Sequence, residues 1–422
     1  MTKPTLAEAS CADDYDPNSM PVDKARAFIH RFLEPLTATL RVPIRTALGR
    51  VLAEDVVSPV DVPSHRNSAM DGWALRAADL APGGESTLEE VGASFAGRPF
   101  AGKVGPGQCV RIMTGGVVPG GADTVVMQER AKAEGRRVTF APGQKAGQNV
   151  REAGEDLKRG SVALARGRLV RPAELGLLAS LGVGEVAVYR PLRVAFFSTG
   201  DELKSIGTPL GEGEIYDSNR YTLHGMLARL GCEVLDMGVV RDDPALLERA
   251  FREAAASADV VITSGGVSVG EADFVKDLMG KLGEVVFWKI AMKPGRPLAY
   301  GRIGGAHFFG LPGNPVSVMV TFYQFVREAL LRLMGQDPVP PFPTFPATCT
   351  AKLRKAPGRT EFQRGILSRG AGGGWTVAPT GEQGSGILKS MSEANCFIVL
   401  GEAVGNVEPG TVVEVQFLED LV

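Results

Sequence analysis

Asp259-Val-Val-Ile-Thr-Ser-Gly-Gly-Val-Ser-Val-Gly-Glu-Ala-Asp273 begins as a strand and continues as a loop of small residues. The run Val260-Val261-Ile262 is apolar and β-branched, the pattern of a strand buried on both faces. Gly265, Gly266 and Gly270 let the backbone approach a ligand closely and turn its N–H groups outward, with Ser264 and Ser268 as hydroxyl donors. A loop of this kind entering a helix N-terminus suits an anion. Asp273 at its end would repel a phosphate unless a divalent cation lies between them. The segment therefore points to a phosphate-bearing ligand held with a magnesium-like ion.

Around this stretch, residues 191–336 alternate strand and helix patterns. Strands are expected at Val194–Phe197, Glu233–Leu235, Val260–Ile262, Val285–Phe287, Leu298–Tyr300 and His307–Phe309. Helices are expected at 218–230, 244–257, about 271–281 and 315–334, with Ser218 and Asp243 as N-caps. The alternation argues for an αβα layer with a mostly parallel sheet. Ligands of such sheets bind at the carboxyl ends of the strands. The loops there place Thr199, Gly200 and Glu202, then Asp242, then Ser264 to Asp273, then Pro312 and Pro315 around one candidate site.

The flanking chain has a different character. Residues 1–20 read as a disordered polar tail, and 21–60 with 151–190 as a discontinuous first domain. Residues 61–150, rich in glycine and proline with short strands, read as an inserted β-rich domain. A proline-rich linker, 337–346, leads to residues 347–422, expected to be a small β-barrel or sandwich.

Composition narrows the function. The chain has 422 residues, a formal net charge of −2, 44 % hydrophobic and 22 % charged residues. That balance argues against a broad nucleic-acid surface. The five cysteines are scattered, with no CxxC pair, and the four histidines lack ligand spacing, so no zinc site is expected. No signal-peptide pattern and no membrane-length apolar run occur, so a cytoplasmic protein without membrane partners is expected. P-loop and GxGxxG motifs are absent, which disfavours P-loop kinase and nicotinamide chemistry.

Several turns carry reactive groups. Ser68-Ala-Met-Asp-Gly-Trp73 holds Asp71, for which a plain Asp-Gly turn is the competing reading. Met113-Thr-Gly-Gly116 offers Thr114, and Asn149-Val-Arg-Glu-Ala-Gly-Glu-Asp156 offers Arg151 and Asp156, where a solvated charge cluster is the alternative. Lys289-Ile-Ala-Met-Lys293-Pro-Gly-Arg296 sets Lys289, Lys293 and Arg296 within eight residues, beside Trp288 and Met292. Partly buried cations need anionic partners. Gly384-Ser385-Gly386 is a turn in the last domain.

In this order, Asn67-Ser-Ala-Met-Asp-Gly-Trp73, Met113-Thr-Gly115, Gly120-Gly-Ala-Asp123, Asn149-Val-Arg151, Gly154-Glu-Asp156, Ser198-Thr-Gly-Asp-Glu202, Thr263-Ser-Gly-Gly-Val-Ser-Val-Gly270, Lys293-Pro-Gly295, Gly310-Leu-Pro-Gly-Asn-Pro315 and Gly384-Ser-Gly386 resemble the molybdopterin molybdenumtransferase (MoeA) family, related to the gephyrin E domain. Trp73 departs from the usual tyrosine, and Gly116-Val-Val-Pro119 from a more common alanine-proline start.

The resemblance implies an elongated homodimer of four-domain subunits whose αβ domain binds molybdopterin. It implies the reaction of adenylyl-molybdopterin with molybdate to give molybdenum cofactor and AMP, with Mg2+ required. It assigns Glu202, Asp242 and Asp273 to the magnesium, and Lys289, Lys293, Arg296 and Ser385 to the oxyanion. Asp71, Thr114, Arg151 and Asp156 would come from the partner subunit. A separate molybdopterin adenylyltransferase would supply the substrate, and apo-molybdoenzymes would receive the product. Three alternatives stay open: a nucleotide pyrophosphatase sharing the αβ domain, a non-catalytic molybdopterin-binding scaffold, and tungstate in place of molybdate.

Overall fold

The computed structural model describes Leu6 and residues 19–266 and 273–418, with the side chains of 273–277 outside that description. The expected Ser268, Gly270 and Asp273 contacts, and most of the N-terminal tail, fall outside the described residues.

The central unit holds strands β1 (Arg193–Thr199), β2 (Glu233–Val240), β3 (Val260–Ser264), β4 (Gly283–Lys289), β5 (Pro297–Ile303) and β6 (Ala306–Leu311). They form one sheet in the order β2-β1-β3-β6-β5-β4. The β1–β2, β1–β3 and β3–β6 pairings are parallel, and β5–β6 and β4–β5 are antiparallel. The parallel core is thus extended by an antiparallel edge.

Both faces of this sheet are covered, which is why β3 reads as a continuous apolar run. Val260 and Ile262 pack into one cluster with Val194, Phe196 and Phe309. Val261 packs into the other with Ala195, Phe197 and Phe308. Helices α1 (Ser218–Arg229) and α2 (Pro244–Ser257) cover opposite faces through Leu223 and Leu227 on one side and Leu247 and Phe251 on the other. Each such side chain removed from water contributes about 1.5–3 kcal/mol.

Asp243 caps α2 as expected, accepting from the Ala245 and Leu246 N–H groups. The cap of α1 differs: Asp217 accepts from Arg220 N–H, and Ser218 is the first helical residue. Aspartate one position earlier offers the stronger acceptor to the helix start. A helix α3 covers Asp273–Leu282. The run 315–334, expected as one helix, is helical over 315–333 but relaxes into a π-turn at Phe322–Val326; we call it α4.

The C-terminal strands are β7 (Thr344–Cys349), β8 (Thr360–Arg369), β9 (Trp375–Pro379), β10 (Cys396–Leu400) and β11 (Val412–Phe417). The order β8-β9-β7-β11-β10 closes through β8–β10, so the five strands make a barrel. β7 starts at Thr344, inside the proline-rich stretch read as linker, because Thr344 to Thr348 pair with β11.

Toward the N-terminus, Thr39–Pro43 pairs with Glu185–Tyr189 and Val56–Val57 with Val162–Leu164. Between these segments a six-stranded sheet forms from Gly72–Leu75, Ser86–Ser94, Gln108–Ile112, Thr124–Met127, Ala131–Glu134 and Arg137–Phe140. Among the described residues no helix is long and apolar enough to cross a membrane.

Candidate functional site

The carboxyl ends of the parallel strands coincide. Thr199 is in register with Val240, and Ser264 with both Ser198 and Leu311. An open cleft of about 1200 Å³ lies along this edge and continues to the barrel.

Its floor is tightly built. Gly265 has φ 91°, and a Cβ there would stand 2.5 Å from the Thr199 carbonyl oxygen, so only glycine fits. The Gly265 N–H donates to the Leu311 carbonyl at 3.1 Å. Asn219, in the first turn of α1, donates to Ser264 Oγ at 2.8 Å and to the Gly313 carbonyl at 2.6 Å. It thereby ties α1 to two of the loops. Thr199 Oγ1, Asp217 Oδ2 and Asn219 Oδ1 are buried without a hydrogen-bond partner among the described residues. All three residues line the cleft. Unpaired buried polar groups each cost about 1–3 kcal/mol, and clustered at a cleft they favour a polar ligand.

The expected loop residues Thr199, Gly200, Ser264, Gly265, Gly266, Pro312 and Pro315 all line the cleft, as do Glu202 and Asp242. The two carboxylates are exposed, which suits oxygen ligation of a hard cation shared with a ligand phosphate. Among the described residues no preformed group of three or more metal-ligating side chains occurs.

Lys293, Arg296 and Ser385 also line the cleft. Lys293 belongs to Met292–Lys293, a short strand that pairs in parallel with Thr360–Glu361 of β8. The barrel is therefore stitched to the αβ unit at this lysine. The Lys293 ammonium lies 3.6 Å from the buried Glu361 carboxylate, which also accepts from Gln363 at 2.9 Å. On the barrel side, the Ser385 carbonyl accepts from Val316 N–H at 3.1 Å and so caps the start of α4.

Residues missed by sequence reasoning complete this wall. Arg359 lines the cleft. Arg364 is 1 % exposed and donates to Ser390 Oγ and to the carbonyls of Glu382, Gln383 and Gly384. It fixes the loop that presents Ser385, and burial lowers its pKa to about 10. The available signal was an arginine in the middle of the strand Thr360–Arg369. Asp217 and Asn219 were also missed, although Asp-Ser-Asn at a helix start after a strand was visible.

Four expected residues sit elsewhere. Asp71 accepts from the Thr114 N–H at 2.7 Å and from its hydroxyl at 2.8 Å. These two bonds hold its carboxyl below the usual range, the backbone one foremost. Ser68 bonds to Gly115 and Gly116, and Ala69 to Asn149. Arg151 pairs with Asn67, so Asp71, Thr114 and Arg151 gather around one turn. Asp156 is attached nearby through Val62. None of these four lines the cleft of its own chain. Lys289 does not line it either; it lies opposite Pro297, which does. Trp73 is accommodated by an indole N–H donated to Glu90 at 2.7 Å, with Arg111 over its ring.

Comparison with known proteins covers nearly the whole chain. Residues 20–182 match the MoeA N-terminal region (domain I and II), 195–332 a probable molybdopterin binding domain, and 346–418 the MoeA C-terminal region (domain IV). The chain is 47 % identical over 396 residues to a molybdopterin molybdenumtransferase of Haemophilus influenzae, covering 94 % of this chain and 98 % of the relative. It is 39 % identical to molybdopterin molybdenumtransferase 2 of Mycobacterium tuberculosis, covering 91 % and 95 %. The crystal structure of a molybdopterin biosynthesis moeA protein from Pyrococcus horikoshii superposes with a TM-score of 0.82 at 29 % identity, covering 95 % of this chain and all of that one.

Proposed function

Because this chain belongs to the MoeA family of molybdopterin molybdenumtransferases, we propose that its cleft joins molybdate to adenylyl-molybdopterin and releases AMP. It is a transferase of molybdenum cofactor biosynthesis. The observation that carries the finer reading is the division of the cleft wall. Glu202 and Asp242 stand at the strand ends, and Lys293, Arg296, Arg359 and Ser385 at the barrel seam.

That division matches the electrostatic problem. A tetrahedral dianion must approach a ligand that already carries a pyrophosphate. Lys293, Arg296 and Arg359 offset the repulsion, and Ser385 donates a hydrogen bond. The two dithiolene thiols replace one oxo group of molybdate, which leaves as water, and water adds across the phosphoanhydride to leave the pterin phosphate and free AMP. Glu202 and Asp242 would hold Mg2+, with Asp273 completing the set from the sequence reading. When bound, the ion neutralises charge on the phosphate oxygens. Gly265 and Gly266 close the cleft floor against Thr199, and Asn219 keeps the two loops aligned.

Asp71, Thr114, Arg151 and Asp156 form a second polar cluster outside this cleft. We assign it to the cleft of a second subunit, making the active form a homodimer. The substrate would be supplied by a separate adenylyltransferase, and the product passed to apo-molybdoenzymes in the cytoplasm.

Incubation with adenylyl-molybdopterin, Mg2+ and molybdate tests the proposal through reconstitution of an apo-molybdoenzyme. Activity that depends on all three components supports it. Absence of reconstitution with intact binding of the pterin favours the scaffold reading.

A further inference from the structure

Tyr216 is the only aromatic among the described residues that line the cleft. Tyr216 is 43 % exposed, and its neighbour Ile215, which also lines the cleft, is 54 % exposed. The Tyr216 hydroxyl donates to the Thr208 carbonyl at 2.9 Å, anchoring the ring at its far end. Ile215 and Tyr216 pair with Leu203 and Lys204, and the Ile215 N–H donates to the Glu202 carbonyl at 2.9 Å. This apolar shelf is therefore fastened to the residue that carries a phosphate-side carboxylate.

We propose that Tyr216 and Ile215 form the seat of the leaving nucleotide's purine base, with the Tyr216 ring stacked on it. The inference rests on the adenylylated-substrate reading above. Three physical arguments support it. A cleft of about 1200 Å³ exceeds the usual range of small-molecule sites, roughly 300–1000 Å³, and so has room for a two-part ligand. A purine presents a flat π-face, and an exposed, tethered tyrosine meets it at little conformational cost. The order of groups along the ligand also fits. With the oxyanion at Lys293 and Ser385 and the phosphates at Glu202 and Asp242, the base lies beyond the phosphates, and the shelf continues from Glu202.

The test is equilibrium binding of AMP and of ribose 5-phosphate, each with Mg2+, by calorimetry. Wild type, Tyr216→Ala and Tyr216→Phe are compared, with circular dichroism confirming the fold. The wild type is expected to bind AMP more tightly than ribose 5-phosphate. Tyr216→Ala is expected to weaken AMP about tenfold, within the range for loss of one base–aromatic stack, and to leave ribose 5-phosphate unchanged. Tyr216→Phe keeps the ring and should bind AMP within about threefold of wild type. Equal AMP binding by wild type and Tyr216→Ala overturns the shelf but leaves the substrate reading standing. A parallel loss of ribose 5-phosphate affinity also overturns it, because the base would then not be what Tyr216 recognises. A wild type that binds no AMP and releases none from the adenylylated pterin overturns both.

Discussion

Lys293 and Glu361 face each other across the seam between the αβ unit and the barrel, ammonium to carboxylate at 3.6 Å. Glu361 is buried, whereas Lys293 is half-exposed toward the cleft. The carboxylate accepts from Gln363 with its other oxygen, so it is fixed and the lysine is the mobile partner. An incoming oxyanion thus meets a cation already positioned by a second domain.

Lys293→Ala should lower the molybdate-dependent kcat/KM at least about tenfold, the loss of roughly 1.4 kcal/mol of charge stabilisation. AMP affinity should change little. Steady-state rates at varied molybdate measure the first quantity and calorimetry the second.

The Arg364 guanidinium satisfies three loop carbonyls and a hydroxyl while buried. Arg364→Met should leave those acceptors unpaired, at a cost of about 2–4 kcal/mol locally. The expected readout is faster amide exchange across residues 382–386, with the αβ sheet unchanged. Unaltered protection in that loop would contradict the positioning role.

Asp71 and Glu202 belong to separate clusters within one chain. If the two clusters meet across a dimer, Asp71→Ala and Glu202→Ala proteins should each be inactive. Randomly mixed subunits should regain about a quarter of wild-type activity, since half the dimers are mixed and each has one intact site. No recovery after verified subunit exchange would place both clusters in the same site of one subunit, or in none.

Glu174 anchors the helix Pro172–Ser180 by accepting from Arg168 and Arg171. Foremost the Arg171 hydrogen bond, opposed by burial and reinforced by Arg168, lowers its pKa to about 2. A carboxyl depressed in the folded state stabilises above its unfolded pKa and loses that contribution as pH falls through the folded one. Glu174→Gln should therefore destabilise the protein at pH 7 by on the order of 1–3 kcal/mol, discounted because both arginines are half-exposed. The difference from wild type should shrink between about pH 4.5 and pH 2, as followed by thermal melting.

Much of the αβ unit was legible because burial on both faces writes itself as unbroken apolar strands. Val260 to Ile262 is the clearest case; the paired glycines after it read as room for a ligand, whereas the close approach that Gly265 makes is with Thr199. The cleft loops followed from strand order. What escaped depended on partners distant in sequence. Arg364 reads as a surface charge until the barrel closes and points it at residues 382–384. Asn219 becomes a clamp only when Ser264 and Gly313 are brought beside it. The cap of α1 was displaced by one residue because serine and aspartate both suit a helix start. Nor did charge spacing reveal that Lys289 stands aside from the cleft while Lys293 enters it.

The coupling of AMP release to oxyanion capture is the most direct test. AMP released from adenylyl-molybdopterin should be measured in the presence of Mg2+, with molybdate omitted or supplied. The account predicts rapid release only with molybdate, in proportion to the molybdenum retained on the pterin. Release at the same rate without the oxyanion would contradict it and identify the cleft as that of a pyrophosphatase.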